Sequence, residues 1–273
     1  LFIDHKGSNS DALLEVLEGS NTIPSSADFF LYRIKDLDAV IKAHNNGKFG
    51  LENKSYILMG HSLGALIAFL YEGNLPKDNF EDRCNSALKD FALTNLSKLL
   101  QCQLNDIQLP EINNLKNANG IIGFNPFGSL IWPKEKDSGI EMPVLLIGGT
   151  YDLITPLISE QFNVFLSTTS NPLNRFLIIK GASHFSPIRI NEDNSKDIKS
   201  DDIFKINKSF IGSSPSSVQN LSLKVVVEFL DNLKNKESFK IIQKQKENNL
   251  EYHILDRKIL KEIIKNSVLD SRI

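Results

Sequence analysis

The sequence predicts an α/β protein whose mostly parallel sheet is covered by helices on both faces. Short apolar runs alternate along the chain with longer segments in which apolar residues recur at helical spacing, a pattern typical of parallel strands joined by helices. Three polar residues, Ser62, Asp152 and His184, each follow an apolar run of strand length. Since sites in parallel sheets lie at the carboxyl ends of strands, these residues are the first candidates for function.

Each element is predicted from its own local pattern. Strands are expected where short apolar runs are bounded by Gly, Pro or polar residues, at 1–4, 55–59, 120–124, 143–147 and 175–179. Helices are expected where apolar residues recur every three or four positions, at 11–18, 28–45, 63–72, 88–100 and 156–167. A further helix opens at Ser214, which is followed by Pro215 at the first helical position.

Composition excludes several classes of protein. The 273 residues, of which 41% are hydrophobic, suit one domain with a sizeable core. A net charge of −2 is not that of a nucleic-acid-binding protein, and no apolar run approaches the roughly 18 residues of a membrane span. Cys84 and Cys102 lack the spacing of a zinc site. They pair if the protein is exported and otherwise remain free thiols, and both cytoplasmic and exported locations stay open.

The chain is predicted to divide into a domain at 1–233, with a lid-like insertion at 73–119, and a charged helical tail at 234–273. Because residue 1 already belongs to a predicted strand, we expect the sheet to lack its N-terminal strands in this chain. The tail is amphipathic, which suits either contact with a membrane surface or a helix docked on the domain. Leucines of the insertion, among them Leu96 and Leu104, suit either an acyl pocket or a helix packed on the core.

The pentapeptide at 60–64, Gly-His-Ser-Leu-Gly, matches the G-x-S-x-G pattern between a strand and a helix. In that setting the turn exposes the hydroxyl of Ser62, and the two glycines are expected because strand and helix approach too closely for side chains. The helix that begins at Leu63 directs free N–H groups at the site, so the Leu63 N–H is the expected oxyanion donor.

Asp152 and His184 are predicted to complete a Ser-His-Asp triad. A carboxylate after the strand at 143–147 can fix the tautomer of an imidazole, whereas Asp137 and Glu141 precede that strand and lie at its other end. The alternatives are that Asp152 caps the following helix and that His184 is an ordinary loop histidine. The chain order Ser62, Asp152, His184 is that of α/β-hydrolases.

At these residues the chain resembles the α/β-hydrolase superfamily and, more narrowly, the bacterial dienelactone-hydrolase-like proteins related to platelet-activating-factor acetylhydrolases. The resemblance covers about residues 1–233 and rests also on the motifs at 4–9, 124–128, 148–152 and 181–185. It implies an α/β-hydrolase fold with Ser62 as nucleophile, Asp152 as acid and His184 as base. The family usually carries a His-Gly oxyanion segment upstream of the motif at 4–9. Dienelactone hydrolases use a cysteine nucleophile, so Ser62 favours an acyl ester substrate.

The predicted function is therefore hydrolysis of small carboxylic esters through an acyl-enzyme, with short-chain lipid esters as one candidate class. The alternatives are acyl transfer to an alcohol and a non-catalytic domain that binds a ligand or a partner. No metal or organic cofactor is needed for this chemistry. Four residues are predicted to contact the substrate, with core packing as the alternative for the three aromatic ones: His61, Phe124, Phe127 and Trp132.

Overall fold

A computed structural model describes residues 1–3, 5, 26–51, 54–73, 78–89, 96–107, 117–134, 137–188 and 212–270. The predicted helix at 11–18 lies outside these residues. Helices α1 to α4 are Ser26–Asn45, Leu63–Glu72, Phe80–Leu88 and Leu96–Cys102, and helices α5 to α7 are Phe162–Ser167, Pro215–Asn235 and Arg257–Asp270. Strands β1 to β6 are Tyr56–His61, Ala118–Phe124, Val144–Gly149, Arg175–Ile179, Ile242–Glu247 and Leu250–Leu255. A π-helical turn, Leu157–Gln161, precedes α5.

The described strands form one mostly parallel sheet, as predicted. Their order is β1-β2-β3-β4-β6-β5. Strands β1 to β4 are parallel neighbours, while β6 runs antiparallel to both β4 and β5. The carboxyl ends of β1, β3 and β4 therefore meet at one edge of the sheet, and these are the ends that Ser62, Asp152 and His184 follow.

Helices cover both faces of this sheet. Successive side chains of a strand point to opposite faces, and in β3 Leu145 and Leu146 accordingly belong to two different apolar clusters. Leu146 packs in a cluster with Leu66 and Phe69 of α2. Leu145 packs in the other cluster with Phe229 of α6. The sheet is thus a central layer between two apolar cores.

The predicted helical tail at 234–273 is wrong over its first half. Residues 242–255 form a hairpin that joins the sheet through β6, where Ile254 pairs with Leu177. The turn consists of Asn248 and Asn249, both with positive φ (48° and 63°), which suits a tight two-residue hairpin. Leu250, Tyr252 and Ile254 alternate toward the apolar cluster that contains α6. This period of two lies directly before the helical pattern of α7, and the charged residues shared by both segments favour a helix over the whole tail.

Two further predictions are corrected by the structure. Residues 1–3 are not in a strand, and Leu1 and Phe2 are exposed. Of the helix expected at 88–100, Leu88 ends α3, Lys89 lies in a turn, residues 96–100 belong to α4, and residues 90–95 lie outside the described part of the chain. A disulfide between Cys84 and Cys102 joins α3 and α4 with a Cα–Cα distance of 5.5 Å. The two cysteines therefore pair rather than remain free thiols.

Candidate active site

Ser62 lies at the tip of a strained turn between β1 and α2. Its φ and ψ are 53° and −115°, a conformation that costs a non-glycine residue on the order of 1–3 kcal/mol. The Ser62 N–H donates to the Phe124 carbonyl at 2.8 Å, which fixes the tip to the end of β2. Its hydroxyl does not cap α2, and the first helical bond runs from Leu66 N–H to the Ser62 carbonyl. The Leu63 N–H lies in the first turn of the helix, before the first residue whose N–H bonds within the helix, as expected for an oxyanion donor.

The two glycines of the pentapeptide have different roles. A Cβ atom at Gly60 would overlap the main chain of Gly64 and Ala65, so this position requires glycine. A Cβ atom at Gly64 would meet open space. The expectation of close approach is therefore confirmed for Gly60 and wrong for Gly64, because only the strand residue faces the oncoming helix.

Asp152 and His184 are hydrogen-bonded across the ends of β3 and β4. His184 Nδ1 lies 3.0 Å from Asp152 Oδ2 and 3.1 Å from Oδ1. Only 3% of Asp152 and 5% of His184 is exposed. Since a carboxylate only accepts, the bond places a proton on Nδ1 and leaves Nε2 as the basic nitrogen of a neutral ring. This is the orientation that a general base in a Ser-His-Asp triad requires.

The carboxylate of Asp152 is held by donors that were not predicted from the sequence. Its Oδ2 accepts from Thr155 Oγ1 at 2.6 Å, Asn125 Nδ2 at 2.7 Å and Gln161 Nε2 at 3.1 Å. Its Oδ1 accepts from the N–H groups of Ile154 at 2.9 Å and Thr155 at 2.8 Å. Asp152 thus also orders the turn after β3, but it does not cap the following helix, whose N-cap is Pro156.

These donors and His184 keep Asp152 ionised. Burial alone raises the pKa of the Asp152 carboxyl, but the hydrogen bond and charge of His184 and the Thr155 donors outweigh it. The net effect holds the pKa of Asp152 below its ordinary value. At neutral pH the Asp152 carboxylate is therefore an anion next to the imidazole of His184.

Gln161 reaches Asp152 because β3 has a glycine at the point of contact. A Cβ atom at Gly148 would overlap the Gln161 side-chain amide. Gln161 lies on the π-helical turn, a feature frequent at functional sites, and it also donates to the Thr155 carbonyl at 2.7 Å. Of the residues missed by sequence reasoning, Asn125 could have been found from its position directly after β2, whereas Gln161 carries no local signal.

The neighbouring residue, Glu160, fixes the insertion to the core. Its fully buried carboxylate accepts from Ser97 and Gln101 of α4, at 3.0 and 3.1 Å, and from the N–H groups of Gly128 and Ser129. Leu104 is buried in the core, whereas Leu96 is exposed. The described part of the insertion is thus a helix packed on the domain, which was the alternative to a wall for an acyl pocket.

His61 contacts His184 through both its ring nitrogen and its ring face. Its Nε2 lies 2.8 Å from the main-chain carbonyl of His184, and the centroids of the two rings are 4.8 Å apart. Burial, and next the charge of nearby His184, lower the pKa of His61 to about 4. Among the described residues no hydrogen bond joins the Ser62 hydroxyl to His184, and such bonds are often long before substrate binds.

The three predicted aromatic contacts lie elsewhere. Phe127 and Trp132 are 1% and 0% exposed and belong to the core, where Trp132 packs edge-on against Phe69. Phe124 packs against the apolar cluster that contains α6. Apolar residue type alone does not separate core from pocket, and the burial of Phe127 and Trp132 favours core packing, the alternative to substrate contact.

A cavity of about 620 Å³ opens beside the serine, between β1 and α1. His61, Ser62 and Leu63 line its end, and apolar side chains form much of its wall, including Leu37, Val40, Ile41, Met59 and Ile67. A cavity of this size and lining is typical of small-molecule sites. The nucleophile candidate is therefore accessible, while the Asp152 carboxylate behind it is not.

Comparison with protein-family models and with curated proteins returned no match for this chain. In the part of the chain that the structure describes, no group of three or more His, Cys, Asp or Glu side chains could hold a metal ion. None of the described helices has the length and apolar character to span a bilayer. Inference about function therefore rests on the geometry of the site.

Proposed function

We propose that this chain has an α/β-hydrolase fold and hydrolyses carboxylic esters, with Ser62 as nucleophile, His184 as general base and Asp152 as the acid that orients it. One observation carries the proposal: a buried, ionised Asp152 is bonded to His184 Nδ1 at 3.0 Å, at the sheet edge where Ser62 occupies a strained turn. A pre-organised Asp–His pair at the same sheet edge as a serine whose hydroxyl does not cap the following helix suits nucleophilic acyl transfer.

In the first half of the reaction, Ser62 Oγ attacks the ester carbonyl carbon while His184 Nε2 takes the hydroxyl proton. The carbonyl oxygen becomes an oxyanion beside the Leu63 N–H. The C–O bond to the alcohol then breaks, and His184 returns the proton to the leaving oxygen. Throughout, the ionised Asp152 stabilises the imidazolium without taking its proton.

In the second half, water attacks the acyl-enzyme with His184 again as base. The tetrahedral intermediate collapses as the bond to Ser62 Oγ breaks, His184 returns the proton to Oγ, and the acid is released. An alcohol in place of water gives acyl transfer by the same steps, so products formed with added alcohol separate these two outcomes.

The second candidate is a non-catalytic domain that binds a small ligand in the cavity beside Ser62. The observation that favours it is that, among the described residues, no hydrogen bond joins Ser62 to His184. The two candidates differ in whether the serine is activated, and this property can be measured directly.

The test is labelling with a fluorophosphonate, which reacts with activated serines, followed by mass spectrometry of the modified peptide. We expect the label on Ser62 of the wild-type protein and its loss in His184→Ala. His253→Ala, which changes a histidine in the β5–β6 hairpin, is the matched control and should label normally. A folded wild-type protein without label on Ser62 would contradict the proposal and favour the binding domain.

A further inference from the structure

The loop that carries His184 must hold its main chain still for the ring to act as a base. After β4 this loop bonds to the neighbouring turn, where the Ala182 carbonyl accepts from Tyr151 N–H at 3.0 Å. The loop also closes on itself, because Ser183 N–H donates to Ser186 Oγ at 2.9 Å. These bonds fix the loop relative to Asp152, but they do not fix it relative to the strand that carries the nucleophile.

The contact with that strand comes from His61, which immediately precedes Ser62. Its Nε2 lies 2.8 Å from the His184 carbonyl oxygen. A carbonyl can only accept, so the proton of this bond belongs to His61 Nε2. The bond therefore links the main chain of the base to the last residue of β1, one position from the nucleophile.

The environment of His61 suits this task chemically. Its pKa of about 4, lowered chiefly by burial, keeps the ring neutral in neutral solution. A neutral ring 4.8 Å from His184 adds no positive charge beside the imidazolium that forms during the proposed reaction. A lysine or arginine could make the same bond to the carbonyl, but it would repel the protonated base.

We infer that His61 is a positioning residue, which holds the main chain of His184 beside the Ser62 turn through its Nε2 hydrogen bond. This inference rests on the proposed function. Asp152 sets the rotation of the His184 ring through the bond at Nδ1. His61 sets the distance between the His184 main chain and the end of β1. Together the two contacts define where His184 Nε2 lies relative to the Ser62 hydroxyl. This role is compatible with the predicted substrate contact, because His61 also lines the end of the cavity beside Ser62.

The test compares His61→Gln, which retains an N–H donor at a similar distance from the main chain, with His61→Met, which has a similar length and no donor. We expect kcat for a short-chain p-nitrophenyl ester to fall about 10- to 100-fold in the Met variant, because small misplacements of a catalytic group have effects of this order. KM should stay within about twofold, and the Gln variant should recover most of the loss.

Two kinetic results would overturn the inference. A Met variant with wild-type kcat, or one changed mainly in KM, would show that His61 does not position the base. Equal losses in the Gln and Met variants would assign the effect to the imidazole itself rather than to the bond.

A second measurement does not depend on turnover. Amide hydrogen exchange in the segment 183–188 should speed up in His61→Met and stay near wild type in His61→Gln, because only the former frees the loop. Unchanged exchange in the Met variant would overturn the inference while leaving the proposed function intact. Conversely, a wild-type protein in which Ser62 is never labelled would overturn the proposed function, whatever the exchange shows.

Discussion

The two halves of the candidate site are held by different means. On the side of His184, side chains that follow β2 and β3 converge on the buried carboxylate of Asp152, which accepts from Asn125, Thr155 and Gln161. On the side of Ser62, the main chain fixes the site: Ser62 adopts a φ of 53°, and its N–H donates one hydrogen bond to the end of β2. The first half is buried, and the second borders an open cavity.

This difference predicts how each half fails. A polar network in a buried site is sensitive to the identity of its donors and acceptors, because each unpaired group costs free energy. A strained turn is sensitive to backbone preference, because its cost lies in the dihedral angles. Substitutions that change a hydrogen-bonding group should therefore impair the Asp152–His184 pair. Substitutions that change backbone flexibility should instead affect the turn at Ser62.

The largest expected effect is on the base half. Asp152→Asn retains the shape of the side chain but presents an amide that can donate to His184 Nδ1, which favours the wrong tautomer of the ring. We expect kcat for ester hydrolysis to fall by about 10⁴. Asp137→Asn, at an exposed turn before β3, is the matched control and should stay within a few-fold of wild type. A loss of less than tenfold in Asp152→Asn would contradict the proposed triad.

Features of the site that depend on residues close in sequence could be predicted from the sequence alone. The turn around Ser62 could be predicted because strand, glycines and helix lie within a short stretch of chain, and Asp152 and His184 because each directly follows a strand. The network around Asp152 could not, since Gln161 reaches it only through a π-helical turn and the space left by Gly148.

Burial is the other property that the sequence did not supply. Trp132 has the residue type of a pocket wall, yet its ring fills the core beside Phe69. The hairpin of β5 and β6 was missed for a related reason: the strand positions Leu250, Tyr252 and Ile254 are recognised as one face only once β4 is beside them. Both errors concern which neighbour a side chain meets across the fold.

A smaller effect is expected where the two halves meet, at His61. The folded pKa of His61 is about 4, below the unfolded value of about 6.5, so the unfolded state binds more protons between these values. The contribution of His61 to the free energy of unfolding should therefore be complete above about pH 6.5. As the pH drops to about 4, the free energy of unfolding should fall by roughly 2–3 kcal/mol.

Urea denaturation across this pH range measures the decline. His61→Gln removes the titrating ring and should flatten most of it, while Ser62→Ala keeps the ring and should leave the decline in place. The window lies above that of Asp152, whose lowered pKa makes its own contribution fall at lower pH. A decline that persists unchanged in His61→Gln would show that another group is responsible.

The smallest expected effect isolates the strain of the nucleophile half. Ser62→Ala and Ser62→Gly both remove the hydroxyl, but only glycine adopts a φ of 53° without steric cost. We expect the Gly variant to be more stable than the Ala variant by about 1 kcal/mol in urea denaturation. At Ser86, which is exposed in the middle of α3, the same pair should differ by a similar amount in the opposite sense, because glycine destabilises a helix. If alanine is at least as stable as glycine at Ser62, the turn stores no strain, and the hydrogen bond from the Ser62 N–H to the Phe124 carbonyl is what holds the turn.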